Sequence, residues 1–264
     1  VNGLITFDKR VNIIGVVFNR VGSDNHLQLL KRSVSAYCQV PVLGGLSADS
    51  EIDIPSRHLG LYMGDDGILD GGTADRLAEI VTNHVDLEQV LVRCGMHISD
   101  TELFLTPPED FKGEIAVARD RAFCFYYQDN FDILEHLGYR LTFFSPLNDS
   151  SLPEHADAYY FGGGYPELYA EKLAANKSMR DAVQAASKAG RFIYGECGGL
   201  MYLGQTLIDV DNQAFPMCGS LSYKTKMHPR LQSLGYVEFE PAADFLFLSP
   251  GRRLRGHCFH YSTF

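Results

Sequence analysis

Two α/β units, each on a mainly parallel sheet, are what this 264-residue sequence predicts. Three observations carry the prediction. Apolar β-branched runs alternate with stretches of helical spacing, the alternation breaks once near residue 105, and it then resumes. The length suits one large domain or two modest ones, at about 100–200 residues per domain. We place the division at 1–105 and 106–264.

In the first unit, "VNIIGVVFN" (11–19) is a continuous run of the kind expected of a strand buried on both faces. "SDNHLQLLKRSVSAY" (23–37) follows as a helix, with Ser23 or Asp24 as N-cap and Leu27, Leu30 and Val34 at helical spacing. "VPVLGGL" (40–46) is a second buried strand, and "GGTADRLAEIVTNHV" (71–85) a helix with Leu77, Ile80 and Val81 on one stripe. Paired prolines and few periodic apolar residues make 94–113, which contains "TPPEDFKG", the linker.

The second unit restarts with a strand at "EIAVAR" (114–119) and a helix at "DNFDILEHLG" (129–138) that Gly138 stops. "RLTFFSP" (140–146) and "ADAYYFGGG" (156–164) are strands, 167–189 holds one or two helices, and "RFIYGE" (191–196) is a strand. No internal repeat or low-complexity segment interrupts the series.

Composition narrows the function. With 45% hydrophobic and 21% charged residues the chain reads as soluble and globular. A net charge of −10 argues against a nucleic-acid partner, whose footprint should be basic. No apolar run approaches the ~18 residues that span a bilayer, so no membrane partner is expected. Six scattered cysteines without a CxxC pair suit a reducing cytoplasm better than a disulfide scaffold.

One cysteine stands apart. In "YGECGGLM" (194–201), Cys197 lies between glycines, directly after a strand and directly before a helix. G-x-C-x-G at such a junction has the mechanics of a nucleophile elbow, where small neighbours allow a sharp, strained turn. A helix N-terminus beneath the sulfur is expected to favour thiolate over thiol. The alternative is a buried structural cysteine in a Gly-rich turn.

A thiol nucleophile needs a base, and there are nine histidines. His26, His84 and His136 lie on helical stretches and read as solvated. In "RGHCFHYS" (255–262), His257 and His260 sit on a strand-like segment and face opposite sides, so only one can point at the thiol. A metal reading of His257, Cys258 and His260 lacks a fourth ligand at zinc-like spacing, so no metal is expected. The third element is "FGGGYPEL" (161–168), where bare N–H groups of a glycine loop can stabilise an oxyanion. Taken alone, it also reads as a plain glycine turn.

Together these segments resemble the class I glutamine amidotransferase domain, a flavodoxin-like fold, and more closely the cobyrinic acid a,c-diamide synthase family. "FYYQDNFDILEHLG", "YYFGGGYPEL", "YGECGGLMYLG" and "RGHCFHYSTF" look like that family's glutaminase segments. "GVVFNRVGSDNH", "VPVLGGL" and "IPSRHLGL" look like the end of its ATP-dependent synthetase domain. The likeness covers about residues 11–264. It implies a Cys197–His260 pair that hydrolyses glutamine, with Gly163, Gly164 and Gly198 binding the oxyanion. Where other class I enzymes place a triad Glu, this chain has Ser262, and it has Cys258 where the family usually has Glu.

The resemblance further implies ATP and Mg²⁺ in the intact enzyme and, as partners, glutamine, a corrinoid or related tetrapyrrole and a homodimer mate. The tetrapyrrole is cobyrinic acid, hydrogenobyrinic acid or a nickel tetrapyrrole. Asn19, after the "GVVF" strand, is a candidate adenine contact or an ordinary turn residue. The phosphate-cradling GxxxxGK[ST] pattern does not occur in these residues, and "GDDGILDGGT" (64–73) has no lysine. Neither ATP nor Mg²⁺ is therefore expected on this chain by itself, nor the full ATP-dependent reaction. Two other classes compete: a cysteine hydrolase not coupled to ammonia transfer, and a catalytically silent binding or regulatory module.

Overall fold

A computed structural model of the chain describes residues 1–48, 71–95, 110–244 and 248–264. Two compact units, Val1–Leu103 and Phe104–Phe264, divide it. "IPSRHLGL", most of "GDDGILDGGT" and most of the expected linker lie outside the described residues.

The first unit holds α1 (Asn2–Phe7), β1 (Val16–Val21), α2 (Asp24–Tyr37), β2 (Val42–Ser47), α3 (Gly71–His84) and α4 (Leu87–Cys94). Ser23 caps α2, its hydroxyl accepting from His26 N at 3.1 Å. β1 and β2 pair in parallel, as the alternation predicts. Burial on both faces of the first strand is not found. β1 begins only at Val16, and Val11 and Val17 are exposed. Among the described residues the sheet has two strands, too few to enclose both faces. The expected linker begins too early, since α4 occupies its first residue. Asp86 caps α4 by accepting from Gln89 N at 2.9 Å, and Gly95 ends it at φ 54°.

The second unit opens with β3 (Gly113–Ala118), α5 (Gln128–His136), β4 (Tyr139–Phe144) and β5 (Ala158–Phe161). A 3-10 turn (Pro166–Tyr169), α6 (Ala170–Ala175), α7 (Lys177–Lys188), β6 (Phe192–Gly195) and α8 (Gly198–Leu203) follow. The four strands make one parallel sheet of order β4-β3-β5-β6. Alternate side chains Ala116, Ala118, Phe144, Tyr159 and Phe161 form one buried face with Leu173, Met179, Val183 and Tyr202 of the helices. The other face carries α5, whose buried Phe131 meets Phe143 edge-on at 5.7 Å.

Beyond α8 the chain changes character, a change not predicted from its sequence. β7 (Thr206–Ile208), β8 (Ala214–Pro216), β9 (Lys224–Met227) and β12 (Ser262–Thr263) form a second sheet of order β12-β9-β7-β8. β10 (Ser233–Phe239) and β11 (Leu254–His260) make an antiparallel hairpin.

Order in the parallel sheet decides where a site can be. Strands β3 and β5 are neighbours, but the connection from β3 runs outward to β4 and the one from β5 outward to β6. Connections that diverge this way leave a crevice at the carboxyl ends of the strands. The segments leaving β3, β5 and β6 all end there.

Candidate active site

Cys197 follows β6 and is the N-cap of α8, with φ 49° and ψ −113°. A non-glycine residue with positive φ is strained by roughly 1–3 kcal/mol and persists only where its surroundings hold it. Here they do so through the backbone. Glu196 N donates to Phe161 O at 3.0 Å, and Gly199 N donates to Gly162 O and Glu196 O, both at 2.8 Å. A Cβ on Gly199 would lie 2.1 Å from Phe161 O, so the start of α8 can meet the end of β5 only with glycine there.

The glycine loop lies against the cysteine. A Cβ on Gly163 would be 3.4 Å from Cys197 Cβ, and one on Gly198 would be 3.2 Å from Gly164 N. The N–H groups of Gly164 and Gly198 act on the sulfur as donors. Gly163 has a different part: its carbonyl accepts from Cys124 N and Phe125 N, each at 3.0 Å, tying the loop to the segment after β3. Phe125 then stands beside the loop, edge-on to Tyr165 at 4.9 Å.

The expected preference for thiolate is not found. Cys197 reaches solvent at its surface. Even so, desolvation pushes its thiol above the ordinary value, helped by the charges of Glu167 and Glu196 and opposed by the two glycine N–H groups. A helix of six residues ending under the sulfur does not outweigh burial and two carboxylates.

His260 ends β11 and is half-buried. Its Nδ1 lies 2.8 Å from Ser262 O. A carbonyl only accepts, so Nδ1 carries the proton and, in the neutral ring, Nε2 keeps its lone pair. The residue at the position of a triad Glu thus orients the ring with its main chain. His257, on the opposite face of β11, meets Tyr236 edge-on at 5.3 Å, and Cys258 pairs with Gly235. Among the described residues no hydrogen bond joins His260 to Cys197, and no three His, Cys, Asp or Glu side chains could hold a metal. What connects the two residues is the second sheet. α8 runs into β7, β7 pairs with β9, β9 with β12, and β12 starts two residues after His260.

Asn19 lies in the first unit. Its Oδ1 accepts from Arg20 N at 2.9 Å, where Arg20 has φ 55° and the β1–β2 register shifts. That is the contact of a local bulge.

Sequence reasoning passed over Glu196, Tyr160 and Tyr194. Tyr160 Oη donates to Glu196 Oε1 at 2.6 Å and Tyr194 Oη to Oε2 at 3.1 Å. Burial and the Glu196 charge push both phenols up, Tyr194 to about 12. The three side chains line a groove of about 390 Å³ together with Asn130, Ile133 and Phe192. The signal was available, since Glu196 stands inside G-x-C-x-G and strand alternation puts Tyr160 and Tyr194 on one face.

A doubly wound parallel sheet with a cysteine elbow and a glycine loop at its crevice defines a class I glutamine amidotransferase-like domain. Residues 114–264 match the CobB/CobQ-like glutamine amidotransferase domain, and residues 3–61 match the CobQ/CobB/MinD/ParA nucleotide binding domain. The chain belongs to the CobB/CobQ-like glutamine amidotransferase family. A cobyrinate a,c-diamide synthase of Listeria monocytogenes is 43% identical over 271 residues, covering 100% of this chain and 58% of the relative. Proteins of the same name from Streptococcus sanguinis and Salmonella typhimurium are 43% and 40% identical over 267 residues, with the same coverage. The chain thus spans 58% of the length of these relatives.

Proposed function

We propose that this chain hydrolyses glutamine to glutamate and ammonia, with Cys197 as nucleophile and His260 as general acid and base. The ammonia serves ATP-dependent amidation of the a- and c-acetate carboxylates of cobyrinic acid in corrinoid synthesis. The observation that carries the reading is Cys197 held at positive φ with the N–H groups of Gly164 and Gly198 at its sulfur. The name shared by relatives that cover the whole chain supports the acceptor.

The thiol proton passes to His260 Nε2 and the sulfur attacks the side-chain amide carbon of glutamine. The N–H groups of Gly164 and Gly198 receive the charge that develops on the amide oxygen, with Gly163 shaping the loop. The imidazolium gives its proton to the departing nitrogen, the C–N bond breaks, and ammonia leaves a thioester. Water then attacks with His260 as base, releasing glutamate and restoring the thiol.

The match to a nucleotide-binding domain suggests ATP. Among the described residues the candidate contact is Asn19, a single amide whose Oδ1 accepts from Arg20 N. That is not a donor set for a triphosphate with Mg²⁺, and no step above passes through either. The reading places the protein in the cytoplasm, divides the chain near residue 105 and includes a homodimer, which sedimentation checks.

Ammonia release from glutamine tests the core of it. Cys197→Ala should abolish release, and His260→Ala should lower kcat by about 10²–10⁴ with a smaller change in KM. Release that survives in Cys197→Ala refutes the assignment.

A further inference from the structure

Glu196 separates β6 from the nucleophile, and the chemistry above gives it no role. Both its carboxylate oxygens are held, one by Tyr160 and one by Tyr194. The donors come from adjacent parallel strands and stand in register, so one carboxylate bridges β5 and β6 at their carboxyl ends. Tyr126 extends the array. Its ring lies 5.3 Å from that of Tyr160, which lies 5.3 Å from that of Tyr194. Tyr126 Oη accepts from Gly162 N at 2.9 Å and donates to Ala118 O. The array therefore joins Glu196 to β3 and to the start of the loop that lies against Cys197.

Strand pairing alone does not call for this arrangement. β5 and β6 are already hydrogen-bonded along their length. Hydroxyl donors to an ionised carboxylate are among the stronger hydrogen bonds, and two of them leave the group little freedom. The side chain so fixed belongs to the residue directly before the strained turn.

We propose that Glu196 is a positioning residue for Cys197: clamped between Tyr160 and Tyr194, it fixes the strand end from which the cysteine turns out and holds a negative charge one residue from the sulfur. The inference deepens the reading of Cys197 as nucleophile and rests on it. The groups that face the sulfur are Glu167 from the 3-10 turn, Glu196, and the N–H groups of Gly164 and Gly198. Those that face the Glu196 carboxylate are Tyr160 and Tyr194, with Tyr126 behind them. Burial does most to keep the sulfur protonated at rest, and a fixed carboxylate there adds to it. Only the thiolate is readily alkylated or oxidised, so the nucleophile stays guarded until a base takes its proton.

The test is the pH profile of Cys197 alkylation by iodoacetamide, read on its own peptide by mass spectrometry. It compares the unaltered chain, Glu196→Gln, and the double variant Tyr160→Phe with Tyr194→Phe. Removing the charge should lower the labelling midpoint by about half a pH unit or more. The double variant should move it the same way by less, because the freed carboxylate swings toward water, where its field is screened. Circular dichroism verifies that each variant is folded, and should Glu196→Gln not fold, the double variant carries the test. One midpoint shared by every folded protein makes Glu196 a strand anchor and overturns the proposal. Labelling requires no turnover, so the two readings fail separately. Ammonia release without a shifted midpoint sinks this one alone, and a shifted midpoint without release sinks the glutaminase.

Discussion

Adding one methyl group at Gly164 tests how the site is built. The residue has φ 155°, and a Cβ there would lie 2.2 Å from Ala122 O, 2.8 Å from Ala122 C and 3.0 Å from Cys124 N. These are backbone atoms with no rotamer to escape into. Ala122 is fully buried, its N–H donates to Asp120 Oδ1 at 2.8 Å, and its carbonyl accepts from Tyr165 N at 3.0 Å. In Gly164→Ala the two segments must separate. Overpacking costs about 1–3 kcal/mol, the backbone conformation about 1–3 kcal/mol, and the stretched Tyr165–Ala122 hydrogen bond about 1 kcal/mol. The total is on the order of 3–7 kcal/mol, a large part of a typical 5–15 kcal/mol of folding stability. At about 2–4 °C per kcal/mol for a chain this size, Tm should fall by at least ~6 °C. Thermal unfolding followed by circular dichroism measures it. Gly190→Ala is the control, because Gly190 has φ 75° with nothing within 4 Å of a Cβ; it bears the backbone cost alone, about 1 kcal/mol, and should lose about 2–4 °C. A Gly164→Ala protein that melts within ~2 °C of the parent would refute the close approach, and so would a control that loses as much.

Two further predictions concern pH. Glu114 is held below the ordinary carboxylate range, chiefly by its hydrogen bond from Arg140 Nε at 3.0 Å. A depressed folded value favours folding above the unfolded value and loses that contribution as pH falls through the folded one. Arg140→Met should therefore melt below the parent at neutral pH and converge with it in acid; an equal deficit at both would refute the pairing. On the alkaline side, burial pushes the Cys218 thiol from 9.0 up to about 12. The unfolded chain releases that proton first, so stability present below 9.0 is lost as pH rises toward 12. Cys218→Ala should show a shallower fall in Tm as pH rises from about 9 toward 12, and identical slopes would count against it.

The sequence showed what local chemistry controls. Cys197 announces itself because a strained turn between strand and helix needs small neighbours, and those neighbours are adjacent in the chain. Strands β3 to β6 were legible because each is an apolar run between turn signals. α4 was not assigned from the sequence, although Asp86 and Gly95 mark its two ends. The second sheet was not legible at all. β9 reads "KTKM", and nothing in it says that Thr225 and Met227 face inward while the lysines face out. The protonation of Cys197 was misjudged because the helix beneath it can be read from sequence, whereas Glu167 and the desolvating walls arrive through the fold.

The same contrast explains how the site is divided between two sheets. The parallel sheet can bring three loop ends to one crevice, since every strand in it points the same way. Those ends supply the thiol, its N–H donors and the flanking carboxylates, all fixed before any substrate arrives. The proposed base does not come from that sheet. His260 comes instead at the end of β11, where the chain passes into β12 and turns the Ser262 carbonyl back onto Nδ1. Ser262 is buried and pairs with Met227 of β9, so the acceptor that sets the tautomer is anchored by a ladder and not by a mobile side chain. A carboxylate at that position would place a negative charge on the ring's own hydrogen bond. A main-chain carbonyl orients the ring without adding one, which leaves the proton balance of the thiol to the elbow's own residues.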